Sequence, residues 1–111
     1  MSAITTHVLD TSTGRPASGV PLILAKASGG GWKNAGRGLT DLDGRCKTLL
    51  KKGPLKKGIY RLTFGVSAYF KRARQAAFYP SVSIIFQVRD SRHHHVPLLL
   101  SPWGYSTYRG S

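Results

Sequence analysis

The sequence predicts an all-β protein, an antiparallel β-sandwich of short strands accompanied by one short helix. Three observations lead there. Apolar and polar residues alternate with a period of two in several separate runs, the spacing of a strand with one buried face. Turn-forming residues, among them 13 Gly and 6 Pro, separate these runs at short intervals. A single stretch, beginning near Ser67, reads as helical instead. At 111 residues the chain forms one domain, 1–111, large enough to bury roughly two-thirds of the surface its unfolded form exposes.

Each element follows from its residues. Ile4–Asp10 alternates, with Thr5, His7 and Leu9 on one face and Ile4, Thr6 and Val8 on the other. Residues 11–16 turn through Gly14 and Pro16. Residues 20–27 form a more buried strand, joined by Gly29, Gly30 and Gly31 to a third strand from Trp32 to about Leu39. The segment TDLDGR, residues 40–45, is a turn, because Asp accepts hydrogen bonds from nearby backbone and Gly44 accepts positive φ. It has too few acidic ligands for a calcium loop. Arg45 leaves this turn at the start of a short strand.

Residues 47–58 are basic, punctuated by Pro and Gly, and read as a mobile loop. Gly58–Phe64 turns Tyr60, Leu62 and Phe64 to one side. Ser67 is positioned to cap a helix running through Tyr69 and Phe70 to about Gln75, with Lys71, Arg72 and Arg74 in solvent. Residues 81–88 send Val82, Ile84, Phe86 and Val88 inward, and residues 89–92 turn. From His93 the alternation puts His93, His95, Pro97 and Leu99 on one face and His94, Val96, Leu98 and Leu100 on the other. The turn Ser101-Pro102-Trp103-Gly104 then returns the chain as a hairpin, bringing Ser106 and Tyr108 to the His95 side.

Charge invites a different functional class. Seventeen Lys and Arg against four acids give a formal charge of +13, a balance that favours polyanions. The cations are dispersed, with local clusters at Lys51-Lys52, Lys56-Lys57 and Lys71-Arg72-Arg74, and no nucleic-acid-binding motif accompanies them. No specific nucleic-acid partner is expected. Nor is a membrane partner, since no run approaches the eighteen or so apolar residues of a span. The opening MSAITTHVLD has neither the basic nor the apolar region of a secretion signal, and a single cysteine, Cys46, suits a reducing compartment. A cytoplasmic location is expected.

The chemistry available is equally bounded. With four Asp and no Glu, paired-carboxylate catalysis is disfavoured. No serine sits in a Gly-x-Ser-x-Gly elbow, and Cys46 lacks a nucleophile motif. Histidines are the candidates, because imidazole titrates near neutrality and takes a proton from water. Zinc on His7, His93 and His95 is chemically feasible, but the usual ligand spacing is absent, and no metal or other cofactor is expected.

Six segments extend the argument beyond residue chemistry: TTHVLDTSTGRPASGVP, GRGLTDLDGRC, GIYRLTF, AYF, HVPLLLSP and the final GYSTYRGS. Together they cover nearly the whole chain in register, and they resemble the transthyretin-related 5-hydroxyisourate hydrolases. The resemblance implies a transthyretin-like sandwich of two four-stranded sheets, assembled as a homotetramer, a dimer of dimers. In it the N-terminal strand lies beside the strand of His95, and their exposed faces line a channel between dimers. It implies hydrolysis of 5-hydroxyisourate, with His7 and His95 activating water and Arg45 polarising the carbonyl. Tyr108, Arg109, Gly110 and Ser111 would complete the substrate site, with Ser111 placing a hydroxyl and a carboxylate beside the histidines, and His93 auxiliary. Relatives commonly have an aromatic residue at the position of His94, which is read as structural. The alternatives are a transthyretin-like carrier of small molecules and a basic nucleic-acid binder.

Overall fold

The structure, a computed structural model, describes residues 2–50 and 53–111. Its strands are β1 (Ile4–Asp10), β2 (Arg15–Pro16), β3 (Pro21–Ser28), β4 (Gly31–Leu39), β5 (Arg45–Cys46), β6 (Gly58–Phe64), β7 (Val82–Val88), β8 (His94–Ser101) and β9 (Gly104–Thr107). One helix, α1 (Val66–Arg72), lies between β6 and β7. The strands form two sheets, ordered β2-β1-β8-β9, with β5 also on β1, and β4-β3-β6-β7.

The sandwich is therefore present with one sheet larger than four strands. That sheet has five, including the two-residue strands β2, inside the expected 11–16 turn, and β5, the short strand expected at Arg45. The sheets are also not wholly antiparallel: β1 and β8 run parallel, Ile4 beside His94 through Asp10 beside Leu100. Strands so far apart in sequence are free of the hairpin constraint that forces antiparallel pairing.

Apolar residues from both sheets meet between them. Ile4, Val8, Leu98 and Leu100 from one face Leu22, Leu24, Leu62, Phe64, Val82 and Val88 from the other in a single buried cluster. Burial of these side chains is the main favourable contribution to folding, on the order of 2 kcal/mol each. Segment 47–58 contributes to it: Leu49 and Leu55 are buried, so this segment packs on the core where a mobile loop was expected. Its passage across β4 explains Gly36, where a Cβ would lie 1.7 Å from the Leu49 carbonyl oxygen. The Lys51-Lys52 cluster lies outside the described residues.

The helix differs from expectation at both ends. Its N-cap is Gly65, with no side-chain cap. Ser67 Oγ instead donates to the Pro80 carbonyl at 2.7 Å, tying the helix to the segment ahead of β7. The helix stops at Arg72 because Arg74 is left-handed, at φ 55°. There Gln75 N donates to Phe70 O and Arg74 N to Lys71 O, a Schellman closure without glycine. Tyr69 Oη donates to Asp10 Oδ2 at 2.7 Å, pinning the helix to the end of β1. Burial first, and then this bond to a carboxylate, push the Tyr69 phenol up to about 12.

Candidate active site

The outward face of the β1–β8 pair is the polar one. Parallel register sets Thr5 beside His95 and His7 beside Pro97, so Thr5, His7 and His95 project to the same side. Arg45 joins them because β5 pairs with β1 at His7. The turn that delivers Arg45 is built as its residues require. Asp41 Oδ1 accepts from Asp43 N at 2.9 Å and Arg45 N at 3.0 Å. Gly44 has φ +74°, and a Cβ there would lie 2.5 Å from the Val8 carbonyl oxygen. These backbone bonds, that from Arg45 foremost, hold the Asp41 carboxyl below its usual range.

A cavity of about 160 Å³ opens on this face, lined by Thr5, Thr6, Arg45, Lys47, His93, His95 and Ser111. A threonine bridges the two imidazoles. Thr5 Oγ1 lies 2.8 Å from His93 Nε2 and 2.8 Å from His95 Nδ1. The two rings are roughly parallel, 28° apart, with centroids separated by 6.3 Å. Burial, and then the charges of Arg45, His93 and His7, push the His95 imidazole below its ordinary value. A histidine so placed stays neutral at pH 7 and keeps a lone pair for a proton.

The C-terminal residues reach the cavity by folding back on β8. After β9, Gly110 N donates to the His95 carbonyl at 2.8 Å. Glycine lets the His95 ring keep its position there, since a Cβ would come 2.6 Å from His95 Cδ2. This crossing carries Ser111 to the cavity wall.

Most of the residues singled out by sequence thus converge on one face, in unequal positions. Arg45, His93, His95 and Ser111 line the cavity, and Gly110 packs on His95. His7 stands beside Arg45 without lining it. Tyr108 is exposed, and Arg109 bonds the Gly110 carbonyl at 2.8 Å and approaches that of His93 at 3.5 Å, so neither lines it. His94 is buried on the other face, where its Nδ1 donates to the Arg92 carbonyl at 2.6 Å. Among the described residues no three His, Cys, Asp or Glu side chains converge as a metal site. Three lining residues were not singled out, Thr5, Thr6 and Lys47. For Thr5 the signal was available, as the alternation of β1 places it on the His7 face.

With this geometry in hand, comparison with known proteins is direct. The family model described as HIUase/Transthyretin matches residues 4–110. The chain is 46% identical over 113 residues to the 5-hydroxyisourate hydrolase of Mus musculus, covering 99% of this chain and 96% of that protein. Among solved structures it superposes on the 5-hydroxyisourate hydrolase of Klebsiella pneumoniae with a TM-score of 0.85 and 37% identity, covering 97% of this chain and 98% of that one. Sea bream transthyretin in complex with thyroxine gives a TM-score of 0.91 at 28% identity, covering 98% and 95%. A match of this extent, on a sandwich whose outward histidines and arginine gather at one cavity, places the chain in the HIUase/Transthyretin family.

Proposed function

We propose that this protein hydrolyses 5-hydroxyisourate to 2-oxo-4-hydroxy-4-carboxy-5-ureidoimidazoline, opening a ring amide with water, in the step that follows urate oxidation. The observation that carries the proposal is the cavity on which Arg45, His93, His95 and Ser111 converge. The names of the mouse and Klebsiella relatives, both 5-hydroxyisourate hydrolases, support this choice of substrate.

In this mechanism a water molecule sits between the histidines and the substrate carbonyl. His95, neutral in its cationic surroundings, takes the proton as the water oxygen attacks carbon, and His7 helps orient the water. The Arg45 guanidinium, a planar fork of donors, holds the carbonyl oxygen and stabilises the charge that develops on it. The proton returns to the ring nitrogen as the C–N bond breaks. Ser111, with Gly110 packed on His95, shapes the substrate's surroundings, while Tyr108 and Arg109 stand outside the cavity lining.

We further propose a cytoplasmic homotetramer with sites between dimers. The open side of the cavity supports this, since a second copy laid on the β1–β8 face would wall it. Light scattering tests the assembly; a monomer in solution would refute it. For the reaction, freshly generated 5-hydroxyisourate followed by ultraviolet absorbance should decay faster with protein. An unchanged spontaneous rate would remove the proposal. A carrier function draws support from the thyroxine-bound sea bream structure; saturable thyroxine binding without turnover would favour it.

A further inference from the structure

Thr5 joins the two imidazoles of the outward face through one hydroxyl. It is only 4% exposed, and among the described residues His93 Nε2 and His95 Nδ1 are the two partners of its oxygen. A hydroxyl has one proton to give and lone pairs to accept with. Both contacts are satisfied when Thr5 donates to one ring and accepts from the other. Two arrangements do this with neutral rings, and they put opposite faces of His95 to work.

If Thr5 donates to His95 Nδ1, the ring proton sits on His95 Nε2, which can then only donate. If Thr5 donates to His93 Nε2 and accepts from His95 Nδ1–H, His95 Nε2 is left as a bare lone pair. That nitrogen has no protein partner among the described residues. It is not buried either, since Arg61 Nε is the one buried side-chain polar atom left without a partner there. His95 Nε2 therefore meets whatever occupies the cavity. The charged and titratable groups facing it are His7 from β1, Arg45 from β5, Lys47 just beyond, His93 on its own segment, and Ser111, whose carboxylate is outnumbered by the Arg45 and Lys47 charges. Cations favour the electron-rich end of a neighbouring dipole, so this wall favours the arrangement with the lone pair outward.

We infer that Thr5 is a positioning residue: by accepting from His95 Nδ1–H and donating to His93 Nε2, it fixes His95 in the tautomer whose Nε2 lone pair faces the cavity. The inference rests on the function proposed above and supplies what its base requires. When Nε2 takes the proton from water, Nδ1–H stays on Thr5, so the imidazolium keeps its orientation until the proton is returned. Thr5 itself never exchanges a proton with substrate.

The test has two parts. In wild-type protein above pH 8, nitrogen-15 NMR should show His95 carrying its proton on Nδ1 and His93 on its own Nδ1. A His95 proton on Nε2 would overturn the inference, whatever the variants do. Thr5→Val, which keeps the branched shape, should release the tautomer and lower kcat on the order of 10- to 100-fold, by analogy with loss of the outer partner of a metal-bound imidazole. KM should change little. Thr5→Ser should restore both rate and tautomer. A Thr5→Val protein with wild-type kcat and an unchanged tautomer would refute it equally. Should the wild type not hydrolyse 5-hydroxyisourate at all, the proposed function falls, while the NMR spectrum still decides the tautomer.

Discussion

From the same two strands, Ile4, Val8, Leu98 and Leu100 turn inward while Thr5, His7 and His95 turn outward. Inside, a side chain is held by many contacts of the same kind, and volume matters more than identity. Outside, each group has one or two directional partners: Thr5 with two imidazoles, Arg45 beside His7, Gly110 against His95. Substitutions on the two faces should therefore fail in different ways. The inward face should lose stability and the outward face should lose rate.

The largest effect is predicted outside. His95→Ala and Arg45→Ala should each lower kcat/KM by about 10²- to 10⁴-fold, the range for removing a general base or a preorganised oxyanion donor. Urea unfolding should stay close to wild type. Variants that unfold more easily to the same degree that they lose rate would erase the distinction between the faces.

Next in size is Leu98→Ala, the complementary substitution inside. Leu98 is fully buried between Val8 and Thr107 in its sheet, and its truncation should destabilise by about 2–5 kcal/mol in urea. The rate per folded molecule should be nearly unchanged. A catalytic loss exceeding the folded fraction's would show that the core positions the site more tightly than this division allows.

Gly110→Ala should fall between the two. Its added Cβ meets the His95 ring, a side chain that can turn aside, so the fold survives and the imidazole is displaced. Displacement of a catalytic group by about 1 Å can cost about 100-fold, and partial accommodation should leave a loss of roughly tenfold in kcat. Full activity would mean that the His95 ring position is not critical.

The two faces also differ in how much of them the sequence discloses. Period-two alternation sorted Ile4 to Leu9 and His94 to Leu100 into the two faces that the β1–β8 register aligns, because pleating depends on the strand alone. The β8–β9 hairpin was readable from Ser101-Pro102-Trp103-Gly104, since a tight turn fixes its own register. The bridge of Thr5 to His93 and His95 was not readable from the residues. It spans about ninety positions and needs the parallel register of β1 on β8, for which no local signal exists. The misplaced helix cap has the same origin. Ser67 looks like a cap in its own segment, but its hydroxyl is used by Pro80, thirteen residues later. Leu49 and Leu55 likewise read as isolated apolar residues in a basic loop until the core they fill is known.

The smallest effect tests the electrostatics that join the outward groups. Burial is the largest influence holding the His95 imidazole below its ordinary value, and the Arg45 charge is the next. A base works unprotonated, so the acid limb of kcat/KM should lie below about pH 6.5, the value of a free imidazole. The same depression means that His95 contributes stability above that pH and loses it as the pH falls. Arg45→Gln removes the cation and leaves the burial, so the His95 titration followed by proton NMR should move upward yet stay below the free value. A titration that did not move would show that Arg45 and His95 do not sense one another. One that rose to the free value would make the cation, rather than burial, the dominant influence on the base.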